Sequence, residues 1–438
     1  MTTRRRLLLV LFATTIHAAI AGLAASPLFF VPNVATAQRV FGGSNGEANL
    51  FEDVRAYREY ASRTLGGEIP YRDFVVEYPI GALPLFLAPR LVAAGPIAYR
   101  WAFAIEMILC DAAIGYLIAR RGERTIGAGR AVLWYSLCLG SLGALPIARF
   151  DLAAALMAFA AALAWESGRG GIGGVLAGLG GLTKLFPLVV AGPGLVKGRL
   201  RGCVSVGLTI AIGVSIWVAI GGAGVGRSLR YHAGRGLEIE SLYAGVLMIV
   251  AKAAGWALRQ DFNHSSVELI APGARFAAAL APFVQLASLA WIVGILFRQA
   301  FRPRVPPVAL DPCFPGAVAR CSSRICGTRD EPPGGVPLLA NDLTVHGAGA
   351  CVLAFALFGK VFSPQYLLWI LPFVATLDGR EGRWARPMLL AAGVLTTLVY
   401  FWAGVGLLNF HPLAIAILNA RNLLLVAIFA LMVRAVDS

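Results

Sequence analysis

Charge is what this sequence has least of. Asp, Glu, Lys and Arg make up 14% of its 438 residues, where soluble domains carry about 25%. Lysine is nearly missing: Lys184, Lys197, Lys252 and Lys360 are the whole set. Cysteine is sparse too. Cys110, Cys138, Cys203 and Cys351 sit in apolar runs and read as small packing residues. Cys313, Cys321 and Cys326 share a Pro-rich loop without the His spacing of a zinc site. No GxxxxGK[ST] motif occurs, so the chain lacks the P-loop cradle for a nucleotide's phosphates.

Apolar sequence fills the space instead. Hydrophobic residues make up 58% of the chain. The runs 7–30, 97–119, 203–221, 274–297, 388–406 and 412–434 approach or exceed the roughly 20 residues that cross a bilayer as a helix. A β-barrel is excluded, because its strands alternate rather than run continuously apolar. The formal net charge of +15 does not point to nucleic acid, since the basic residues gather at the ends of apolar runs as the positive-inside rule requires. Arginine in excess of lysine, with abundant Ala and Gly, suggests a GC-rich bacterial genome and hence a multi-pass protein of a bacterial plasma membrane.

Arg4, Arg5 and Arg6 precede the first run. Ala35-Thr36-Ala37 resembles a signal cleavage site, but the run is longer than a signal core of about 7–15 residues. It reads as a retained span with a cytoplasmic N-terminus. Residues 31–96 then form an external loop. Span 97–119 returns to Arg120-Arg121-Gly122-Glu123-Arg124, span 131–148 goes out and span 151–166 comes back. Residues 171–196 read as a broken hairpin with Lys184 and Pro187 near its tip, of the kind tolerated where it lines a cavity. Span 203–221 exits, 274–297 returns, and 298–342 is a cytoplasmic Pro-rich loop. Spans 343–358, a short 367–378 and two more close the chain. The expectation is a single integral membrane domain over 1–438: all-α, a polytopic transmembrane helical bundle of about 10–12 membrane segments.

Within the first loop, NLFEDVRAYREYASRTL (49–65) has helical spacing, with Leu50, Val54, Tyr57, Ala61 and Leu65 on one stripe. Asn49 followed by Glu52 resembles a capping box. The spacing predicts a helix lying on the outer surface, and 80–95, short and carrying Pro84, Pro89 and Arg90, predicts a second interfacial or re-entrant helix. The topology brings the polar clusters to the outer face: Asp53, Arg72-Asp73-Glu77, Arg149-Asp151, Lys184, His232-Arg235-Glu240 and Lys360-Gln365. Charges at such depth face a cavity or each other. Arg149 and Asp151 are expected to pair as a helix cap, and Arg72, Asp73 and Glu77 either to fix their loop as an ion-pair network or to bind substrate.

An acid ringed by cations suits an anionic, lipid-linked substrate. Lys184, Arg235 and Lys360 would hold a phosphate through charge-assisted hydrogen bonds, and a carboxylate would take the proton from an attacking hydroxyl. Such a reaction needs no nucleotide.

Four stretches carry a resemblance: EDVRAYREYASRTLGGEIPYRDFVVEYPIG (52–81); ARFDLAAALMAFAAALAWE (148–166) with GGLTKLFPLVV (180–190); RYHAGRGLEIESLYA (230–244); and GKVFSPQYLLWILPF (359–373). In this order they resemble glycosyltransferase family 87, the polyprenol-phosphate-mannose-dependent α-mannosyltransferases of the GT-C class. The resemblance implies a GT-C-like fold and an inverting transfer of a hexose, mannose first, from a polyprenyl-phosphate sugar donor to a lipid-linked or cell-envelope glycan acceptor on the outer face. It implies no metal and no other cofactor. It places the catalytic base in the first external loop, at Asp53 of Asp53…Tyr57, with Asp73 the next candidate. The substrate-binding set it suggests with the residues above is Arg72, Asp73, Glu77, Lys184, His232, Arg235, Glu240, Lys360 and Gln365. Two features depart from the family: Pro79 is followed by Ile80 where the family often has a second proline, and the loop 301–342 does not resemble it. A transporter or flippase of a lipid-linked intermediate is the competing class, hinted at by the paired TKLFP and GKVFSP segments; a lipid-linked glycan polymerase or ligase is a third.

Overall fold

The computed structural model describes residues 1–26, 51–196, 200–263, 266–301 and 339–437. They are overwhelmingly helical. The helices of eight residues or more are α1 (Thr3–Ala24), α2 (Glu52–Leu65), α3 (Leu83–Val92), α4 (Pro96–Gly122), α5 (Ala128–Gly140), α6 (Asp151–Glu166), α7 (Gly170–Thr183) and α8 (Leu200–Gly221), followed by α9 (Val225–Gly234), α10 (Leu242–Ala254), α11 (Ala274–Phe301), α12 (Leu339–Leu357), α13 (Leu367–Ala375), α14 (Gly379–Thr397) and α15 (Pro412–Asp437). Five described helical stretches are long and apolar enough to cross a membrane: Thr3–Ala24, Pro96–Gly122, Leu200–Ser228, Ala274–Phe301 and Pro412–Asp437. This is an all-α membrane protein.

The layering follows from burial. Every residue of α13, LLWILPFVA, is buried, and α6 is buried nearly all round. Helices apolar on every side belong in the middle of a bundle; α6 packs on α4, α7, α12 and α13. The peripheral faces of α1, α4, α8 and α11 expose Phe12, Trp101, Ile212 and Phe283 instead. The α7–α8 contact is made by glycine. A Cβ on Gly178 would lie 2.7 Å from the Thr209 Cβ, so the two backbones approach as small-xxx-small pairs allow.

Polar groups sort to the two ends. At one end Arg6 donates to Glu123 at 2.9 Å, and Glu166, the last residue of α6, pairs with Arg121 and with Arg124. At the other end stands Asp151, the first residue of α6. Sixteen residues of helix at 1.5 Å rise separate these ends by about 24 Å. Between them a buried polar group forms, in which Asp111 meets His17 Nδ1 at 2.7 Å and accepts from the Tyr135 hydroxyl at 2.7 Å.

Several expectations change. The chain is not wholly helical: Arg259–Asn263 (β1) and Ser266–Ile270 (β2) form an antiparallel hairpin. Helix α10 has no counterpart in the sequence reading, and the segment expected to span 131–148 ends at Gly140 and resumes as a one-turn helix, Leu145–Ala148. Helix α2 opens at Phe51 with no side-chain cap, and Asn49, Leu50 and most of the Pro-rich loop 298–342 lie outside the described residues. The stripe is real at Val54, Tyr57 and Ala61, which are buried, whereas Leu65 is exposed. Tyr57 stacks on Phe86 of α3 with centroids 4.3 Å apart, which ties the two short helices together.

Candidate active site

The site grows from the first turn of α6. An acid there is stabilised by the helix dipole, and Asp151 is buried. Helix α7 ends beside it. Lys184 leaves helical conformation (φ −152°, ψ 140°), ahead of Pro187, and its Nζ reaches Asp151 Oδ1 at 2.7 Å. The same oxygen accepts from Trp369 Nε1 of α13 at 2.5 Å. The ammonium also faces the rings of Phe150, Trp369 and Tyr366 at 4.9, 5.3 and 5.7 Å. Trp369 is held flat between Phe186 and Tyr366, with centroids at 4.0 and 3.8 Å. Lys184 therefore occupies an aromatic box closed by one carboxylate, the environment in which cation–π attraction counts most.

The end of the stretch 52–81 reaches this point through a glycine. A Cβ on Gly81 would stand 2.7 Å from the backbone of Leu182, and Thr183 Oγ1 donates to the Gly81 carbonyl at 3.3 Å. The IPYRDFVVEYPIG loop thus docks on the last turn of α7, next to Lys184.

Arg149 and Asp151 do not pair with each other, contrary to expectation. Arg149 is extended (φ −141°, ψ 142°) between the one-turn helix and α6, so its side chain leaves in another direction. Its Nε meets Asp53 Oδ2 of α2 at 2.9 Å, Nη1 donates to the Ala148 carbonyl at 2.8 Å, and Nη2 donates to the Tyr400 hydroxyl at 3.3 Å. The Arg149 side chain is 9% exposed and that of Asp53 33%, so the acid opens to the surface while its partner is sunk in the protein.

A second group is assembled where the loop after α9 meets Gly359–Tyr366. The Glu238 amide donates to the Lys360 carbonyl at 3.1 Å, Lys360 Nζ donates to the Arg235 carbonyl at 2.6 Å, and Ser363 Oγ donates to Glu238 Oε1 at 3.2 Å. Strand β2 braces the loop: the Ile239 amide donates to the Val267 carbonyl at 2.9 Å, the Leu269 amide to the Leu237 carbonyl at 2.8 Å, and the Gly236 amide to Glu268 Oε1 at 2.7 Å. Glu240 pairs with Arg421 Nη1 at 2.9 Å, and the fully buried Arg421 also donates to the Glu240 carbonyl at 2.6 Å. Burial pushes the Glu238 carboxyl up to about 8, with Glu240 adding to the rise and Arg235 opposing it. Burial lowers the Lys360 ammonium, against the pull of Glu268.

The groups adjoin. Tyr366 lies within electrostatic reach of Glu238, Arg235 and Asp151, and Tyr400 within reach of Arg149, Asp53 and Glu240. Asp53, Lys184, Arg235, Glu240 and Lys360 therefore converge at one end of the bundle. Gln365 is half-buried on the Pro364–Tyr366 turn beside them. His232 belongs to α9, and its side chain lies outside the described residues.

Arg72 and Asp73 serve their own loop. Both are exposed; Arg72 Nε meets Asp73 Oδ1 at 3.0 Å, and Asp73 Oδ2 accepts from the Ile69 amide at 2.7 Å. Glu77 is half-buried farther along the loop. Residues 70–74 form a tight turn. Tyr71 takes a left-handed backbone (φ 68°), its carbonyl and that of Arg72 accept from Arg227 Nη2 at 2.9 Å, and its hydroxyl donates to the Tyr78 carbonyl at 2.8 Å.

Sequence reasoning missed Glu238, Arg421 and the Asp53–Arg149 pair. For Glu238 a signal existed: GLEIE alternates, and Leu237 and Ile239 on either side of it are buried, the period-2 pattern of a strand rather than of an open loop. The charge pattern suits an anion better than a cation, because Asp53, Asp151 and Glu240 each already hold a basic partner. No protein-family model matches this chain, and none of the curated proteins matches it significantly.

Proposed function

We propose that this chain is a membrane glycosyltransferase that moves a hexose, mannose in the leading case, from a polyprenyl-phosphate sugar to a glycan or glycolipid acceptor at the outer membrane face. One observation carries the reading. Segments as distant in sequence as Asp53, Lys184, Arg235 and Lys360 meet at one end of the bundle, giving one open carboxylate beside several buried or half-buried cations. That pattern fits a hydroxyl attacking a carbon whose leaving group is a lipid phosphate: the carboxylate takes the hydroxyl proton and the cations receive the phosphate's charge.

Asp53 is the base in this reading. It is the most open of the acids in the group, and Arg149 aims it. Lys184 and Lys360 are the leading phosphate ligands. The acceptor chain would enter over α2 and α3, and the prenyl tail would lie along the apolar flank of the bundle.

The test is reconstitution of the purified protein with radiolabelled polyprenyl phosphate mannose and a membrane glycolipid extract. Wild type should form labelled product, and Asp53→Asn should bind donor but not transfer. Full activity in Asp53→Asn would move the base to another carboxylate. No transfer by the wild type, with labelled lipid crossing the bilayer instead, would favour the transporter reading, for which the buried His17–Asp111–Tyr135 group is the supporting observation.

A further inference from the structure

Glu238 is an acid of this end that the base assignment leaves unused, and its surroundings differ from those of Asp53, Asp151 and Glu240. Asp53, Asp151 and Glu240 each meet a basic side chain within 3 Å. Glu238 is 8% exposed and meets none among the described residues. Its Oε1 accepts from Ser363, while its Oε2 is buried without a hydrogen-bond partner. Next to it, the Nε of Arg235 is also buried and unpartnered. A charged carboxylate in that position is costly, and a buried acid without a paired cation avoids the cost by keeping its proton.

We infer that Glu238 stands protonated at neutral pH and that its Oε2 hydroxyl, with Arg235 and Lys360, forms a proton-dependent binding site for a phosphoryl oxygen. The inference deepens the proposed function and rests on its reading of this end as a phosphate-binding site. A neutral acid donates one hydrogen bond to a phosphoryl oxygen and adds no negative charge beside Arg235 and Lys360. Losing the proton would turn that donor into an acceptor and place a negative charge against the ligand. The device resembles in kind a carboxylic acid kept neutral so that it can donate.

The groups facing Glu238 are known from each element packed on it. From its own loop come Arg235 and Glu240, the latter held by Arg421 of α15. From the Gly359–Tyr366 segment come Lys360, Ser363, the Phe362 amide and the Tyr366 ring. From β2 comes Glu268, whose Oε1 is engaged by the Gly236 amide. Burial and Glu240 hold the Glu238 proton on, to about pH 8. The sign follows: the binding form is present below about 8 and is lost as pH rises through it. Between pH 7 and pH 9 the protonated fraction falls about tenfold, and affinity should fall with it. Lys360 also titrates on the alkaline side, so the variant decides which group is responsible.

The experiment uses the full-length protein in nanodiscs, with a short-chain isoprenyl phosphate as probe. Binding is measured by calorimetry from pH 6.5 to 9.5, and infrared difference spectra are recorded on the same samples. Wild type should lose about tenfold in affinity between pH 7 and 9, and its spectrum at pH 7 should hold a carboxylic-acid carbonyl band that Glu238→Gln removes. Glu238→Gln, whose amide still donates, should bind at pH 7 as the wild type does and show a flat profile to pH 9. Glu238→Asp, too short to reach, should bind more weakly at both. An alkaline loss that persists unchanged in Glu238→Gln, or a wild-type spectrum whose acid band survives that substitution, overturns the inference. Wild-type protein that binds the phosphate with this profile yet transfers no sugar would overturn the proposed reaction and leave this inference standing. No binding at any pH would overturn the phosphoryl site itself.

Discussion

The Asp151–Lys184 pair should be the strongest electrostatic coupling at this end of the molecule, and its energy can be worked from the geometry. The charges lie 2.7 Å apart. With an effective dielectric of about 20 their attraction is roughly 6 kcal/mol before desolvation is subtracted. Removing one member of such a buried pair costs about 3–5 kcal/mol, whereas removing both with shape conserved costs far less. The two members are not equivalent. Asp151 is 1% exposed and the Lys184 side chain 17%, and Lys184 retains three aromatic faces when the carboxylate goes. Lys184→Met, which strands the more deeply buried charge, should therefore cost about 4–5 kcal/mol, and Asp151→Asn, which preserves an acceptor for Trp369, about 3 kcal/mol. The double variant should be more stable than Lys184→Met alone, which requires a coupling energy above about 3 kcal/mol. Unfolding by SDS titration in mixed micelles, followed by tryptophan fluorescence, measures all four corners of the cycle. A double variant whose loss equals the sum of the single losses would show that the two charges do not stabilise each other, and the aromatic box would then be the reason for the lysine.

Three further outcomes follow from the same contacts. Gly81→Ala should drive a methyl into the Leu182 backbone, destabilise the protein by about 1–3 kcal/mol and reduce transfer, because that backbone carries Lys184; a thermal unfolding scan with the transfer assay on the same preparation checks both. Arg149→Lys keeps the charge opposite Asp53 but loses the forked donor set to Ala148 and Tyr400, so transfer should drop about tenfold or more with donor binding retained. Asp73→Asn should leave the transfer rate unchanged within error, since Asp73 is exposed and pairs with its sequence neighbour; abolished transfer with normal folding would promote Asp73 to the base.

How far the fold was legible depended on whether burial is one-sided or complete. Helices α1, α4, α8, α11 and α15 could be read directly, because a run of apolar residues long enough to span a membrane has no soluble alternative. Helix α10 and the β1–β2 hairpin were missed for the opposite reason. YAGVLMIVAKAA is too short to announce a span, and β1 is exposed at every residue, so neither gives a periodic signal. The break at Lys184 was legible because Pro187 and the glycines before it mark a discontinuous helix, whereas the aromatic box was not, because Phe150, Tyr366 and Trp369 come to Lys184 from segments far apart in the chain.

The partners of the charges were not legible at all, and Arg149 and Asp151 show why. Two residues apart and opposite in charge, they invite a local pairing. The backbone forbids it: Arg149 is extended while Asp151 already belongs to α6, so the side chains diverge, one toward α2 and the other toward α7 and α13. Each then finds a partner far along the chain, Asp53 for the first and Lys184 for the second. The result is a division of labour that a local cap would not provide. A buried Asp151 can hold Lys184 without being needed as a base, which leaves Asp53, the open carboxylate with a sunken arginine behind it, as the acid at this end best placed to meet a hydroxyl from solution. If Asp151 and not Asp53 were the base, Asp151→Asn with an intact fold would abolish transfer while Asp53→Asn would spare it; the geometry predicts the reverse order.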